Sequence, residues 1–408
     1  MNNKIEKKKF KPDAVLTIAW ILAMVSAFFV HPGKEYLEYI DFRSLGILWG
    51  LMVIIQGFKE NAVFVKIAGF LLSKVKNGWQ LAAVLVFMCF ISSMFITNDV
   101  ALITFVPFAL MILHGCDRED MMIPTVVLQT VAANLGSMLT PIGNPQNLYL
   151  YGLTGMGLGE FILTLLPYSM ISVLLLCIAI FLMTPDKEKG LSTDKDSVVT
   201  GNFGSERQII IYSVLFVIAL LSVVRILPWY VFVIIVFVVV GGMDYKILLR
   251  ADYILLLTFI GFFIFTGNMG NIDAISSFLE RVLSGREFPV SIVLSQIISN
   301  VPATLMLSGF TTNYKELLLG VNIGGMGTLI ASMASLISYK VYSKEYREKS
   351  GKYLLVFTAV NVAFLIVLVL VKVAKGDGVY GPYVNGPGGR GLWPICLNYF
   401  QRSRLVPY

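Results

Sequence analysis

The sequence predicts an all-α polytopic membrane protein built from two inverted repeats, and three observations predict it. Hydrophobic residues make up 57% of the chain and charged residues only 14%, with a mean hydropathy of +0.78, far from the composition of a soluble globular domain. The stretch Thr130 to Tyr151, TVAANLGSMLTPIGNPQNLYLY, lies where hydropathy demands a membrane-spanning helix, yet it is crowded with Asn, Gly, Ser, Thr and Pro. In hydrocarbon such a stretch survives only as a helix broken where protein or a wet cavity receives its backbone. The stretch also recurs: Val321 to Leu336, VNIGGMGTLIASMASL, overlays Ala133 to Leu148, ANLGSMLTPIGNPQNL, at an offset of 188 residues (322 less 134). Asn134/Asn322, Gly136/Gly324, Met138/Met326, Thr140/Thr328, Ile142/Ile330 and Leu148/Leu336 are identical pairs. Two interrupted spans at corresponding positions of two halves point to a substrate site of the secondary-transporter kind.

Residues 1–13 carry Lys4, Lys7, Lys8, Lys9 and Lys11 and lead into the apolar run Ala14 to Val30 with no small-residue cleavage site. The run reads as an uncleaved first span behind a cytoplasmic basic segment, opening a first repeat over 14–183. A second span, about Leu45 to Gln56, returns inward. Phe58 to Val75, with Lys59, Lys66 and Lys74 among apolar residues, reads as an amphipathic helix at the inner interface. Trp79 to Leu113 is one apolar run interrupted by Thr97, Asn98 and Asp99. As a single helix it would be roughly 50 Å long against about 30 Å of hydrocarbon. Its second arm, Val100 to Ile112, is short and holds Pro107, so a re-entrant hairpin over 79–113 is expected, with two cramped crossings as the alternative. A broken helix over 121–151 then crosses outward and Phe161 to Met183 crosses back. Gly152, Gly155, Gly157 and Gly159 follow no strand and read as an external turn rather than a phosphate loop.

The polar stretch 184–208, with Asp186, Lys187, Glu188, Lys189, Asp194, Lys195 and Asp196, reads as a cytoplasmic linker. One connecting span within 209–228 has no counterpart in the first half, so the second repeat, 229–374, runs upside down. Its expected order is a span from Tyr230 to Val240, a span from Tyr253 to Phe265, an amphipathic stretch from Ile272 to Leu283 and a hairpin over 289–311. The hairpin arms, Val290 to Ile298 and Ala303 to Phe310, are about nine residues each, far below the twenty or so of a crossing; its turn is Ser299-Asn300-Val301-Pro302. A second broken helix over 317–340 and a last span, Tyr353 to Val371, complete about nine full spans plus two hairpins. The Gly/Pro-rich tail, 375–408, reads as unstructured or as a non-native addition.

Charge supports one orientation. With the N-terminus cytoplasmic and the C-terminus external, Lys59 to Lys76, Arg118, Lys187 to Arg207, Lys246, Arg250 and Lys340 to Lys352 fall inside, in a bacterial-type plasma membrane. The net charge of +7 is spent on short loops, which argues against a nucleic-acid partner. Cys89, Cys116, Cys177 and Cys396 have no metal-ligand spacing, and Cys89 and Cys177 lie in apolar runs where packing is the expected role. His31 and His114 sit at span edges, leaving no catalytic constellation in the membrane.

Broken helices offer an anion their N-terminal amides and offer a cation their freed carbonyls. Neither hairpin core contains Lys or Arg, nor does either broken helix as far as Tyr339, so amides and small polar side chains must bind any anion. The candidates are Thr97, Asn98, Asp99, Asn134, Gly136, Ser137, Thr140, Pro141, Gly143, Asn144 and Asn147 in the first half. In the second they are Ser299, Asn300, Val301, Pro302, Thr304, Asn322, Gly324, Gly325 and Thr328. Asp99 is the one acidic residue deep in a hairpin tip, which marks it as a cation ligand or proton carrier; the plainer reading is a cap on a helix starting at Val100. For the glycines and small polar residues the plainer reading is close helix packing. No resident metal or cofactor is implied. Na+ at Asn98, Asp99, Asn134, Asn300 and Asn322, or H+, would be the coupling ion.

The motifs Thr97-Asn98-Asp99-Val100-Ala101, Asn134-Leu135-Gly136 with Thr140-Pro141-Ile142-Gly143-Asn144-Pro145-Gln146-Asn147, Ser299-Asn300-Val301-Pro302-Ala303 and Asn322-Ile323-Gly324-Gly325 resemble those of the ion transporter superfamily over about residues 14 to 374. That superfamily takes in citrate and other carboxylate permeases, arsenite/antimonite permeases and one class of sodium/proton antiporters. The resemblance implies a homodimer whose subunits each have a scaffold domain and a transport domain that moves by an elevator mechanism. Carboxylate members carry Ser-Asn-Thr at the hairpin tips, whereas these tips read Thr97-Asn98-Asp99 and Ser299-Asn300-Val301, which leans toward the arsenite-permease-like branch.

The expected function is secondary active transport of a small anion, an organic carboxylate or inorganic oxyanion, driven by H+ or Na+. The alternatives are arsenite/antimonite efflux or Na+/H+ exchange on the same scaffold. A passive channel and an intramembrane enzyme fit the sequence less well, the second because it would need a nucleophile with its base, or a metal site, in the membrane.

Overall fold

In the computed structural model the described residues are 14–73, 75–185 and 204–375. The expectations for the basic N-terminus, Lys74, most of the 184–208 linker, Cys396 and the tail from Gly376 lie outside them. The described chain is helical, with no strand. The first half holds Ala14–Ala27 (α1), Glu35–Tyr39 (α2), Phe42–Glu60 (α3), Val63–Leu72 (α4), Gly78–Ser92 (α5), Asn98–Gly115 (α6), Met122–Ser137 (α7), Pro145–Thr154 (α8) and Leu158–Met183 (α9). After Glu206–Val223 (α10) come Trp229–Leu248 (α11), Tyr253–Gly270 (α12), Asp273–Leu283 (α13), Glu287–Ile298 (α14), Asn300–Leu307 (α15), Tyr314–Ile323 (α16), Met333–Glu345 (α17) and Ser350–Ala374 (α18).

By length and composition, seven helices among the described residues could cross a membrane: α3, α6, α9, α10, α11, α12 and the stretch Arg347–Ala374 that contains α18. They face outward with large apolar side chains, among them Leu163, Leu174, Leu355 and Leu370, an arrangement that lipid accepts and water does not. Six of them are among the nine spans expected, and the seventh, α6, belongs to the predicted hairpin over 79–113. Each predicted broken span is instead two helices, α7 with α8 and α16 with α17, parted by 138–144 and 324–332, and the first span has 14 described helical residues.

Several boundaries differ from expectation. The second arm of the first apolar pair is not short: α6 spans 18 residues and continues through Pro107. Proline removes one hydrogen bond, and tightly packed neighbours let an apolar helix carry that loss. Gln129 on α7 binds both arms, its Nε2 lying 3.1 Å from the Leu85 carbonyl and 3.4 Å from that of Phe105. The second pair is truly short, with helices of 12 and 8 residues. Its expected four-residue turn shrinks to Ser299 alone, at φ 79 and ψ 153. Pro302 lies in the first turn of α15, where its missing N–H would have no helical partner anyway. The amphipathic helix expected over 58–75 is divided: α3 continues to Glu60, Ala62 adopts φ 53, and α4 follows, with Phe64, Ala68 and Leu72 inward and Ile67 and Phe70 outward. Asp244 bends α11 near its end. Cys177 is exposed on α9 rather than packed, while Cys89 and Cys116 are buried. Gly155 takes φ 68 to close α8, which makes the glycine-rich stretch a turn, as expected.

Two groups of helices pack closely. In one, α1 lies against α12 and α3 against α10 and α11; in the other, α5 and α6 lie against α7, α14 and α15 against α16, and α17 against α6 and α7. The ends of α9 and α18 are pinned to the starts of the broken helices by buried cations. Arg118, 1% exposed, binds Asp120 and the Pro185 carbonyl, and Lys372, also 1% exposed, binds Glu316 at 2.6 Å.

Candidate functional site

The interruptions of α7/α8 and α16/α17 meet the tips of the α5/α6 and α14/α15 pairs in the interior, and the polar residues that hydropathy could not place are buried there. Asn98 is 4% exposed, Asn134 4%, Asn144 3%, Asn147 0%, Asn300 4% and Asn322 3%. Burying this many amides is tolerable only when they bond to one another. Asn134 is the hub of the first cluster. Its Oδ1 accepts from Asn98 Nδ2 at 2.9 Å and from Ser332 Oγ at 3.0 Å, while its Nδ2 donates to Ser335 Oγ at 3.2 Å. Asn322 centres the second, donating from Nδ2 to Asn147 Oδ1 at 2.8 Å and to the Leu318 carbonyl at 2.8 Å.

Three contacts recur at constant offsets, 188 residues for the broken helices and 202 for the tips (300 less 98). The Asn98 amide donates to the Gly143 carbonyl at 3.2 Å, and the Asn300 amide to the Ala331 carbonyl at 3.0 Å. The Thr140 hydroxyl donates to the Met94 carbonyl, and the Thr328 hydroxyl to the Gln296 carbonyl. Gly136 and Gly324 let the chain around Ser93 and Ser295 approach closely: a Cβ at Gly136 would collide with the Phe90 carbonyl, and one at Gly324 would stand 3.0 Å from both the Ile292 Cα and Ser295 Oγ. Close packing thus accounts for both glycines. Gly143 packs in the same way against the Ser137 carbonyl, and Gly325 leaves room for Asn300 Nδ2, which lies 2.9 Å from where a Cβ would stand.

The other predicted residues fall into place around these clusters. Ser137 Oγ links the Asn134 carbonyl and Asn144 Nδ2. Thr304 bonds back to the Asn300 carbonyl of its own helix and so does not join the network. Ser299 supplies the sharp turn, Pro141 lies in the first break, and Val301 and Pro302 are buried in the first turn of α15. Asp99 corrects the capping expectation. The helix begins at Asn98, Thr97 stands at the N-cap position without a side-chain cap, and Asn98 Oδ1 receives the Asp99 amide at 3.0 Å. The half-buried Asp99 carboxylate lies in the first helical turn, where the positive helix end favours it.

The interior network includes residues that the motif reading passed over. Ser332 and Ser335 stand opposite Asn144 and Asn147 in the repeat alignment, so the 188-residue offset was the signal that could have found them. Gln146, 0% exposed, makes no protein hydrogen bond through either amide atom, and Asn322 Oδ1 is likewise without a protein partner. These atoms are the unused polar capacity of the site. Among the described residues no three His, Cys, Asp or Glu side chains cluster as a metal site. What the arrangement offers chemically is two sets of carbonyl and amide oxygens for a small cation, beside helix-start amides for an anion.

Residues 5–314 match a family profile described as citrate transporter. An uncharacterized transporter of Methanocaldococcus jannaschii is 33% identical over 340 residues, covering 82% of this chain and 90% of the relative. An inner membrane protein of Escherichia coli is 29% identical over 340 residues, 81% and 88% of the two chains. A silicon efflux transporter of Oryza sativa subsp. japonica is 29% identical over 145 residues, 35% of this chain and 29% of that protein.

Proposed function

The chain belongs to the citrate transporter family, and from that premise we propose that it is a secondary active transporter of a small anion. The substrate is an organic carboxylate, such as citrate or a dicarboxylate, or an inorganic oxyanion, and an H+ or Na+ gradient drives it. The observation that carries this reading is the recurrence of the tip-to-break contacts, Asn98 with Gly143 and Asn300 with Ala331. Two like constructions facing one interior are what an inverted-repeat secondary transporter places at its substrate site. The two halves are inverted repeats, 14–183 and 229–374, with a cytoplasmic linker over 184–208, a connecting span within 209–228 and re-entrant tips at 79–113 and 289–311. A scaffold of α1, α3 and α10 to α12 holds a transport domain of α5 to α9 and α14 to α18, which moves as an elevator in a homodimer. Support for that division is the packing of α1 on α12 and α3 on α11 as one group and of the pairs around the breaks as another, the two meeting where α12 lies on α15 and α3 on α8. The N-terminus is cytoplasmic and the C-terminus external.

Substrate contacts come from the helix-start amides and from Asn98, Asn144, Asn300 and Gln146, and the coupling cation from the oxygens around Asn134 and Asn322. The test is uptake of labelled citrate, succinate and phosphate into proteoliposomes with sodium and pH gradients imposed separately. Saturable uptake that follows one gradient supports the reading; flux that ignores both gradients and does not saturate sinks it in favour of a channel.

A second reading is favoured by the Asp99 carboxylate and by the likeness to a silicon efflux transporter: efflux of a hydroxylated species such as arsenite, or Na+/H+ exchange. In an exchanger Asp99 alternates between Na+ and a proton, so Asp99→Asn abolishes sodium-dependent proton movement. Exchange that persists in Asp99→Asn removes this reading.

A further inference from the structure

We propose that Gln296 is the positioning residue whose side-chain amide ties the loop of the second broken helix to its hairpin, over and above the tip and threonine contacts that both halves share, whereas in the first half the corresponding amide comes from the loop's own helix. The first loop is held from α8. Asn147 Nδ2 lies 3.3, 3.2 and 3.4 Å from the carbonyls of Ser137, Met138 and Thr140, while Asn147 Oδ1 accepts from Asn322. Ser335 occupies the corresponding place in the second half. It accepts from Asn134 in mirror fashion, but a hydroxymethyl group has no amide with which to reach a loop.

The missing amide arrives from the hairpin instead. Gln296 Nε2 donates to the Gly324 carbonyl at 2.8 Å and to the Met326 carbonyl at 3.0 Å, and Gln296 Oε1 accepts the Thr328 amide at 2.8 Å. Met138 and Met326 are the same position of the repeat, so one carbonyl is clamped in both halves by different elements. Gly327 takes φ 112, and a Cβ there would collide with Gln296 Oε1; the loop is wrapped around this side chain. The counterpart of Gln296 in the first hairpin, at the 202-residue offset, is Met94, which has no hydrogen-bonding amide. The pair Met94 and Asn147 has thus been exchanged for Gln296 and Ser335.

The exchange makes the two gates unequal. In the first half the clamping amide travels with α8 whatever the tip does. In the second half, displacement of α14 strips the loop of the three Gln296 side-chain hydrogen bonds in addition to the Thr328 bond to the Gln296 carbonyl, so opening that hairpin loosens the loop that follows Asn322 at the end of α16. This functional consequence rests on the transporter reading; the clamp itself does not.

Full-length protein in nanodiscs tests both parts, with hydrogen exchange read at 138–144 and 324–330 and labelled citrate uptake measured in parallel. Gln296→Met is expected to speed exchange at 324–330 by about tenfold, the factor that one net hydrogen bond supplies, and to leave 138–144 unchanged. Gln296→Glu keeps the acceptor for Thr328 but sets a carboxylate against the Gly324 and Met326 carbonyls, so it too speeds exchange at 324–330 and carries the test if the Met variant does not fold. Adding Ser335→Asn to Gln296→Met rebuilds the first-half arrangement and restores both loop protection and uptake. Unchanged exchange in Gln296→Met, equal loosening of both loops, or no rescue of loop protection by Ser335→Asn overturns the proposal. Absence of citrate uptake in the wild type overturns the transport reading alone, because exchange still reports on the clamp.

Discussion

Asn322 Nδ2 donates to Asn147 Oδ1 across 2.8 Å, joining the second broken helix to the first. The mirror positions do the same, Asn134 donating to Ser335 at 3.2 Å. An amide buried in this interior has no water to fall back on, so loss of one partner exposes the other to the full desolvation penalty. Asn322→Ala should therefore cost about 1–3 kcal/mol of stability. A double-mutant cycle with Asn147→Ala should show a coupling of about 0.5–3 kcal/mol. Thermal or denaturant unfolding in detergent measures it, and simple additivity of the two changes would contradict the bond.

Ser299 is held at φ 79 and ψ 153, a backbone region that only glycine enters freely. Ser299→Gly should raise stability by about 1 kcal/mol through relief of this strain, seen as a higher melting temperature. A lower one would mean that the Ser299 hydroxyl, 3.5 Å from Asn300 Oδ1, holds the tip more strongly than the strain loosens it.

The glycines are not equivalent. A Cβ at Gly136 collides with the backbone carbonyl of Phe90, whereas at Gly157 and Gly159 nothing lies within 4 Å. Gly136→Ala should destabilise by about 1–3 kcal/mol, as overpacking does, and Gly159→Ala should change little. Comparable melting temperatures for the two variants would show that α5 can withdraw from α7 without penalty.

Lys372 and Glu316 form a buried pair, 1% and 21% exposed in their side chains. Removing the carboxylate takes the short bond from a buried ammonium, so Glu316→Ala should cost about 1–3 kcal/mol. Replacing both, as Glu316→Ala with Lys372→Met, should recover part of that loss, since the buried ammonium is gone as well. Lys315→Ala, which breaks the exposed pair with Glu160, should have an effect of less than about 1 kcal/mol. Unfolding midpoints of the three variants decide the order.

Much of this architecture was legible because polar residues in an apolar run have few places to go. Asn134 and Asn322 announced the breaks, and their constant offset paired them before any coordinates did. Boundaries were less legible, since they depend on neighbours. Pro107 reads as a terminator in isolation, yet tight packing carries α6 past it, and Pro302 reads as part of a turn although it fits the first turn of a helix. Asp99 looked like a cap because the sequence does not reveal that the helix starts two residues earlier than Val100, at Asn98. Gln296 was invisible for another reason. Its role follows from Ser335 being too short to do what Asn147 does, and that is apparent only when both loops are seen.

The most direct test of the central claim is the initial rate of labelled citrate uptake against citrate concentration in proteoliposomes, for the wild type, Asn134→Ala and Asn322→Ala, under an imposed sodium or proton gradient. The account predicts saturable uptake that follows one of the two gradients and falls to background in both variants. Wild-type uptake that is linear in concentration and indifferent to either gradient, or saturable uptake undiminished in both variants, would contradict it.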